Sequence, residues 1–148
     1  MDLNNIAYCG LFCGGCPNHT GVIADLSRDL RKELRTYRFD KTAEELSKMS
    51  FFKEFKKYSD CYEVLGAMVK MRCKNGCRKG GGNPFCKIRK CAQKKELTGC
   101  WECGDFLSCD KLKSLEPNHG KAHIKNLKTL KKVGPKNFTG KNAFWYAV

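Results

Sequence analysis

Eleven cysteines occur in 148 residues, and ten of them fall into short runs. The runs are Cys9-x3-Cys13-x2-Cys16, Cys73-x3-Cys77, Cys86-x4-Cys91 and Cys100-x2-Cys103-x5-Cys109. Nothing else in the chain constrains its fold as much. A turn with two to four residues between cysteines brings two sulfurs to one ion, and zinc takes four such ligands in a tetrahedron about 2.3 Å from sulfur. Cys100-Trp101-Glu102-Cys103-Gly104 fits best, with a glycine where the backbone folds around the sulfurs. Disulfides are the rival explanation. Met1-Asp2-Leu3-Asn4-Asn5 has neither the basic start nor the apolar run of a secretory signal, so the expectation is a reducing, cytoplasmic compartment with free thiols. No stretch approaches the ~20 apolar residues of a membrane span.

Leu, Ile, Val and Phe supply about a fifth of the residues, near the floor for a purely hydrophobic core. Bound metal offsets such a deficit, because structural zinc in a small site contributes on the order of 10 kcal/mol to folding. The simplest reading of the cluster is therefore a structural staple. One arrangement gives Cys13, Cys16, Cys73 and Cys77 to a first ion. Cys100 and Cys103 then hold a second with two of Cys86, Cys91 and Cys109. Cys9 and the remaining cysteine are spare or replace a named ligand. Residues five apart on a helix lie about 140° apart, so Cys86 and Cys91 serve one ion only if Cys86 precedes the first full turn.

The rest of the chain reads as helices joined by irregular loops. Val22, Ile23, Leu26, Leu30, Leu34 and Tyr37 have helical spacing. Thr42 and Glu45 have the spacing of a capping box for a short second helix. Ser50 is placed to cap a third, whose apolar stripe is Phe51, Phe52, Phe55, Tyr58, Tyr62, Leu65, Met68 and Val69. Cys61 lies on that stripe and is read as a buried thiol rather than a ligand. Asn83-Pro84 resembles a helix start, running to about Leu97. Asp105 to Leu115 is expected to be helical up to a break at Pro117-Asn118. A basic helix follows from about His119 to Val133, ended by Gly134-Pro135, with Phe138, Phe144, Trp145 and Tyr146 as a packing tail. The expected fold is mostly α: a small single domain, 1–148, with irregular cysteine-rich metal-binding loops. It comprises an N-terminal Cys loop and helices (1–72), a Cys-rich metal-binding region (73–109) and a basic helix with its tail (110–148).

Charge is unevenly distributed. Residues 1–69 balance ten Lys and Arg against ten Asp and Glu, so the net +14 lies wholly in the second half. Part of it is compensation for thiolates, since four of them around a divalent ion leave about −2. The remainder suits nucleic acid or an acidic protein partner, with Lys121, Lys125, Lys128, Lys131 and Lys132 on one helix.

Tyr8-Cys9-Gly10-Leu11-Phe12-Cys13-Gly14-Gly15-Cys16-Pro17 resembles the opening of the cysteine-rich prokaryotic proteins grouped as domain of unknown function 3795. Cys73-Lys74-Asn75-Gly76-Cys77 resembles the family's next turn, with one residue more than its usual spacing. Cys86-Lys87-Ile88-Arg89-Lys90-Cys91-Ala92 and Cys100-Trp101-Glu102-Cys103-Gly104-Asp105-Phe106-Leu107-Ser108-Cys109 match the two that follow, although Leu-Ser stands where members often have a proline. The resemblance spans about residues 8 to 112. It implies a zinc-binding protein of archaeal or bacterial cytoplasm and carries no activity with it.

Alternatives stay open. Iron–sulfur clusters also take Cys thiolates, and Cys9, Cys13 and Cys16 have the C-x3-C-x2-C spacing of radical enzymes that cleave S-adenosylmethionine. Gly15 replaces the aromatic usual before the third Cys, however, and the chain is too short for their barrel. Of His19, His119 and His123, the last two are spaced i, i+4 and could share a metal, but two residues at one spacing say little, and solvent-facing histidines are the simpler reading. Gly80-Gly81-Gly82 lacks the Lys-Ser/Thr of a phosphate loop, and no catalytic constellation is legible. The expectation is a zinc-binding interaction or regulatory module with one or two ions, the alternatives being an iron–sulfur protein and a zinc-dependent nucleic-acid-binding module.

Overall fold

The computed structural model describes residues 2–148. Among the described residues eight α-helices run in chain order: α1 (Pro17–Thr20), α2 (Val22–Thr36), α3 (Phe39–Leu46), α4 (Tyr58–Lys70), α5 (Lys87–Lys94), α6 (Asp110–Lys113), α7 (Glu116–His119) and α8 (Ala122–Asn137). Short 3-10 turns connect several of them. Among the described residues there is no strand, only two isolated bridges, Ile6–Phe12 and Gly120–Ala147. The fold is mostly α, as the periodicity implies. None of the described helices is long and apolar enough to cross a membrane.

Backbone packing divides the chain into two compact units, residues 21–72 and residues 2–20 with 73–148. The ten clustered cysteines all lie in the discontinuous unit, and Cys61 lies in the other.

In the helical unit α2 and α4 pack closely, and the approach selects small side chains. Ala24 and Ser27 are the buried residues of α2, and Gly66 is that of α4. The Arg31 guanidinium lies 4.4 Å over the Tyr62 ring. Phe39 meets Phe55 and Tyr58, with centroids 6.0 and 5.8 Å apart. Several expectations are corrected here. Val22, Ile23, Leu26 and Leu30 are exposed, because the buried face of α2 is the one carrying the small residues. The Thr42–Glu45 capping box is not formed: α3 begins at Phe39, following a left-handed Arg38. Ser50 opens a 3-10 run, Ser50–Lys57, without a side-chain cap, so α4 starts only at Tyr58. Cys61 is exposed, not buried, since α4 turns the Gly66 side toward α2.

The discontinuous unit has a single core made of Ile6, Leu11, Ile88, Trp101, Phe106, Leu112, Leu127, Leu130 and Phe138, with several alanines. α8 lies along it and buries Ala122, His123, Asn126, Leu127 and Leu130, one side of a helix by spacing. Gly134 leaves helical geometry at φ 73°, ψ 161°, where Gly134-Pro135 was expected to stop the helix. Of the expected aromatic packing tail only Phe138 is buried; Trp145 is half-buried, and Phe144 and Tyr146 are exposed, because the tail is held through the Phe144 backbone rather than its ring. Asn126 Nδ2 donates to the Phe144 carbonyl and its Oδ1 accepts from the Phe144 N–H, both at 2.8 Å. Pro117 sits in the first turn of α7, where its missing N–H costs nothing, so it starts a helix rather than breaking one. The helix expected over Asp105–Leu115 is reduced to a 3-10 turn and the four-residue α6.

Candidate metal centres

Tight turns bear most of the clustered cysteines. Ala7 donates to the Leu11 carbonyl at 2.8 Å and Gly10 to the Ala7 carbonyl at 2.9 Å, which puts Cys9 at the tip of a narrow loop. Gly10 has φ +84°, and a Cβ there would come within 2.9 Å of Leu127, so only glycine lets this loop lie on α8. Cys13 and Cys100 each open a 3-10 turn closed by the following cysteine, Cys16 N–H to Cys13 O at 3.0 Å and Cys103 N–H to Cys100 O at 3.1 Å. Cys77 opens a similar turn closed by Gly80. At the start of α5, Cys86 is the N-cap residue, and its sulfur accepts from the Arg89 N–H at 3.5 Å. The helix start expected at Asn83-Pro84 therefore falls three residues later. Asn83 instead caps its own turn, accepting from the Phe85 N–H at 2.8 Å.

Two cavities receive these turns. One, of about 370 Å³, is lined by Cys9, Cys13, Cys16, Cys73, Cys77 and Cys86. The other, of about 330 Å³, is lined by Cys91, Cys100, Cys103 and Cys109. Cys86 and Cys91 thus face different cavities, the second of the two options the helical geometry leaves open. Cross-chain hydrogen bonds hold the turns in place. Cys73 N–H donates to the Asn18 carbonyl at 2.8 Å and Cys100 N–H to the Tyr8 carbonyl at 2.8 Å.

Three of the thiols, Cys9, Cys13 and Cys100, are biased toward their protonated form. Burial first, and then the neighbouring Cys109, Cys103, Cys91 and Cys86, push Cys100 up to about 12. Burial raises Cys9 still further, opposed by the Leu11 N–H. Cys13 is raised by burial, with Cys77, Cys16 and Cys73 contributing and the Cys77 N–H opposing. A thiol in this state is a poor nucleophile. A divalent cation reverses the balance, because it stabilises several thiolates at once and displaces their protons. The donor set in the smaller cavity, four thiols, is that of a closed structural zinc site. Among the described residues no group of three or more His, Cys, Asp or Glu side chains is arranged closely enough to hold an ion.

Residues that the cysteine spacing does not reveal complete the larger cavity. Arg89, buried, donates to four backbone carbonyls, those of Cys77, Gly81, Asn83 and Pro84, at 2.8–3.4 Å. Its guanidinium is satisfied by these carbonyls and ties the backbone around Cys77 to that before Cys86. Arg78 donates to Leu3, Ile6 and Thr98 carbonyls and lies 4.6 Å over Tyr8, joining three of the turns. His19 and His119 also line this cavity, half-buried, and His123 is wholly buried. The reading of all three as solvent-facing is thus corrected: α1, α7 and α8 all turn their histidines inward.

This geometry defines a small helical protein built around cysteine-lined turns. The chain matches a family profile described as protein of unknown function (DUF3795) over residues 5–114, and it belongs to that family. The resemblance of its four cysteine segments is accounted for by that membership. No curated protein and no solved structure shows significant similarity to the chain.

Proposed function

We propose that this protein binds zinc through structural thiolate sites and acts as a cytoplasmic interaction or regulatory module rather than as an enzyme. The observation that carries this reading is the division of ten cysteines between two cavities of one unit, four in the smaller. Four thiolates fill the tetrahedron of a zinc ion and leave no open position for a reacting water. The thin apolar core supplies a reason for the metal, since the turns that bear the sulfurs also carry much of the packing.

A second reading is favoured by one feature. Cys9, Cys13 and Cys16, at the C-x3-C-x2-C spacing, share the larger cavity, which suits an iron–sulfur cluster. Elemental analysis and a visible spectrum of anaerobically purified protein separate the two. The zinc reading expects one or two zinc per chain and a colourless solution. Iron with acid-labile sulfide and a brown solution would overturn it in favour of the cluster.

For the partner, charge is the guide. The cysteine-bearing unit holds 17 Lys and Arg against six Asp and Glu, and Lys125, Lys128, Lys131 and Lys132 are exposed along α8. A polyanion, nucleic acid foremost, is the partner this surface suits.

A further inference from the structure

The larger cavity is lined by a nitrogen donor as well as by sulfurs. His19 follows Cys13 and Cys16 at a spacing of three residues each. Cys16 closes the 3-10 turn opened by Cys13, and its carbonyl then accepts the His19 N–H at 3.0 Å, starting α1. One turn of chain thus separates each donor from the next. The His19 ring faces the same cavity as the sulfurs. Its Cε1 lies 3.8 Å from the point where a Cβ on Gly76 would stand, and Cys13 Sγ lies 4.0 Å from that point. Glycine at residue 76 leaves this gap between ring and thiol unfilled.

The His19 Nδ1 atom is buried and has no hydrogen-bond partner. A buried ring nitrogen left unpaired costs on the order of 1–3 kcal/mol, so its retention among thiols calls for a partner. A cation is the partner a lone pair beside sulfurs selects. His119, in the same cavity, differs: its Nδ1 is already engaged by the Trp145 carbonyl at 2.9 Å.

We infer that His19 is a metal ligand, binding through Nδ1, so that the larger cavity holds a zinc-class ion by mixed sulfur and nitrogen donors while the smaller holds its ion by sulfur alone. This rests on the zinc reading above. The two centres then differ in kind. Imidazole is a neutral ligand, so replacing one thiolate lowers the negative charge of the centre by one.

The test is cadmium-113 NMR of protein reconstituted with that metal and labelled with nitrogen-15 histidine. The expected spectrum has an all-sulfur resonance and a second one displaced upfield by nitrogen, with cadmium–nitrogen coupling at His19 Nδ1. His19→Gln should move or abolish the second resonance alone. His19→Cys, which restores a fourth donor if the glutamine variant folds poorly, should bring it into the all-sulfur range. Cys61→Ser should leave both in place. Two all-sulfur resonances in the wild type, or a second resonance unmoved in both His19 variants, would overturn the assignment while leaving the metal reading intact. No bound cadmium in either cavity would overturn both.

Discussion

The two fully buried polar side chains of α8 illustrate how burial is decided residue by residue. Asn126 and His123 are both 0 % exposed. Asn126 has a reciprocal pair of bonds to Phe144, whereas neither ring nitrogen of His123 has a partner. Replacing Asn126 by Leu leaves both Phe144 backbone groups unpaired, and a loss of about 2 kcal/mol is expected. Replacing His123 by Leu removes two unpaired nitrogens and should leave stability at pH 7 unchanged or higher. Burial, with His119 and Lys121 beside it and only Glu116 opposing, depresses the His123 pKa below its usual 6.5. The sign follows: below that value the unfolded chain binds a proton that the native ring refuses. Wild-type stability should therefore fall as the pH drops below about 6.5, by at most about 1.4 kcal/mol per unit from this group. Urea unfolding of both proteins at pH 7 and pH 5.5 checks this. The gap between His123→Leu and wild type should widen in acid, and an unchanged gap would contradict the assignment. These histidines also mark what the sequence conceals. Clustered cysteines announce themselves by spacing, but a lone histidine looks the same whether it faces water, core or ligand.

At the scale of elements, periodicity located the long helices and missed several of their boundaries. α2 and the α8 stop at Gly134 follow from spacing and from Gly-Pro chemistry, both local. The start of α5 does not, because Cys86 takes the cap position with its sulfur, three residues after an asparagine that looks like a better cap. Amphipathic pattern likewise named the wrong face of α2, since a close helix pair buries small residues in preference to larger ones. The exposed side of α8 offers the element-level test of the partner reading. Lys128 and Lys132 are one helical turn apart and exposed, and among the described residues neither forms an ion pair. If α8 meets a nucleic-acid backbone, the logarithm of affinity should fall linearly with the logarithm of salt. The Lys128→Gln/Lys132→Gln double variant should reduce that slope by about two, at roughly 0.9 per duplex phosphate contact. No binding to duplex at low salt, or an unchanged slope, would remove nucleic acid as the partner of this face.

Across the whole molecule, the clustered cysteines and the charge divide along the same line as the structure. The unit formed by residues 21–72 has the look of an insertion: the chain returns at Cys73, whose N–H bonds the Asn18 carbonyl just before the departure. The other unit owns all ten clustered cysteines, the larger share of the positive charge and the core on which the turns rest. The cysteine runs are legible in the sequence because their spacing is local. Their sorting into two cavities is not, because it depends on which distant turns the hydrogen bonds of Cys73, Cys100 and Arg78 bring together. The central claim is that the two cavities bind metal separately. Native mass spectrometry of anaerobically purified protein tests it most directly, with Cys100→Ser/Cys103→Ser and Cys13→Ser/Cys16→Ser as paired variants. The account predicts two zinc ions in the wild type and one fewer in each double variant. Loss of all metal in either variant, or wild-type protein isolated with disulfides and no metal, would contradict it.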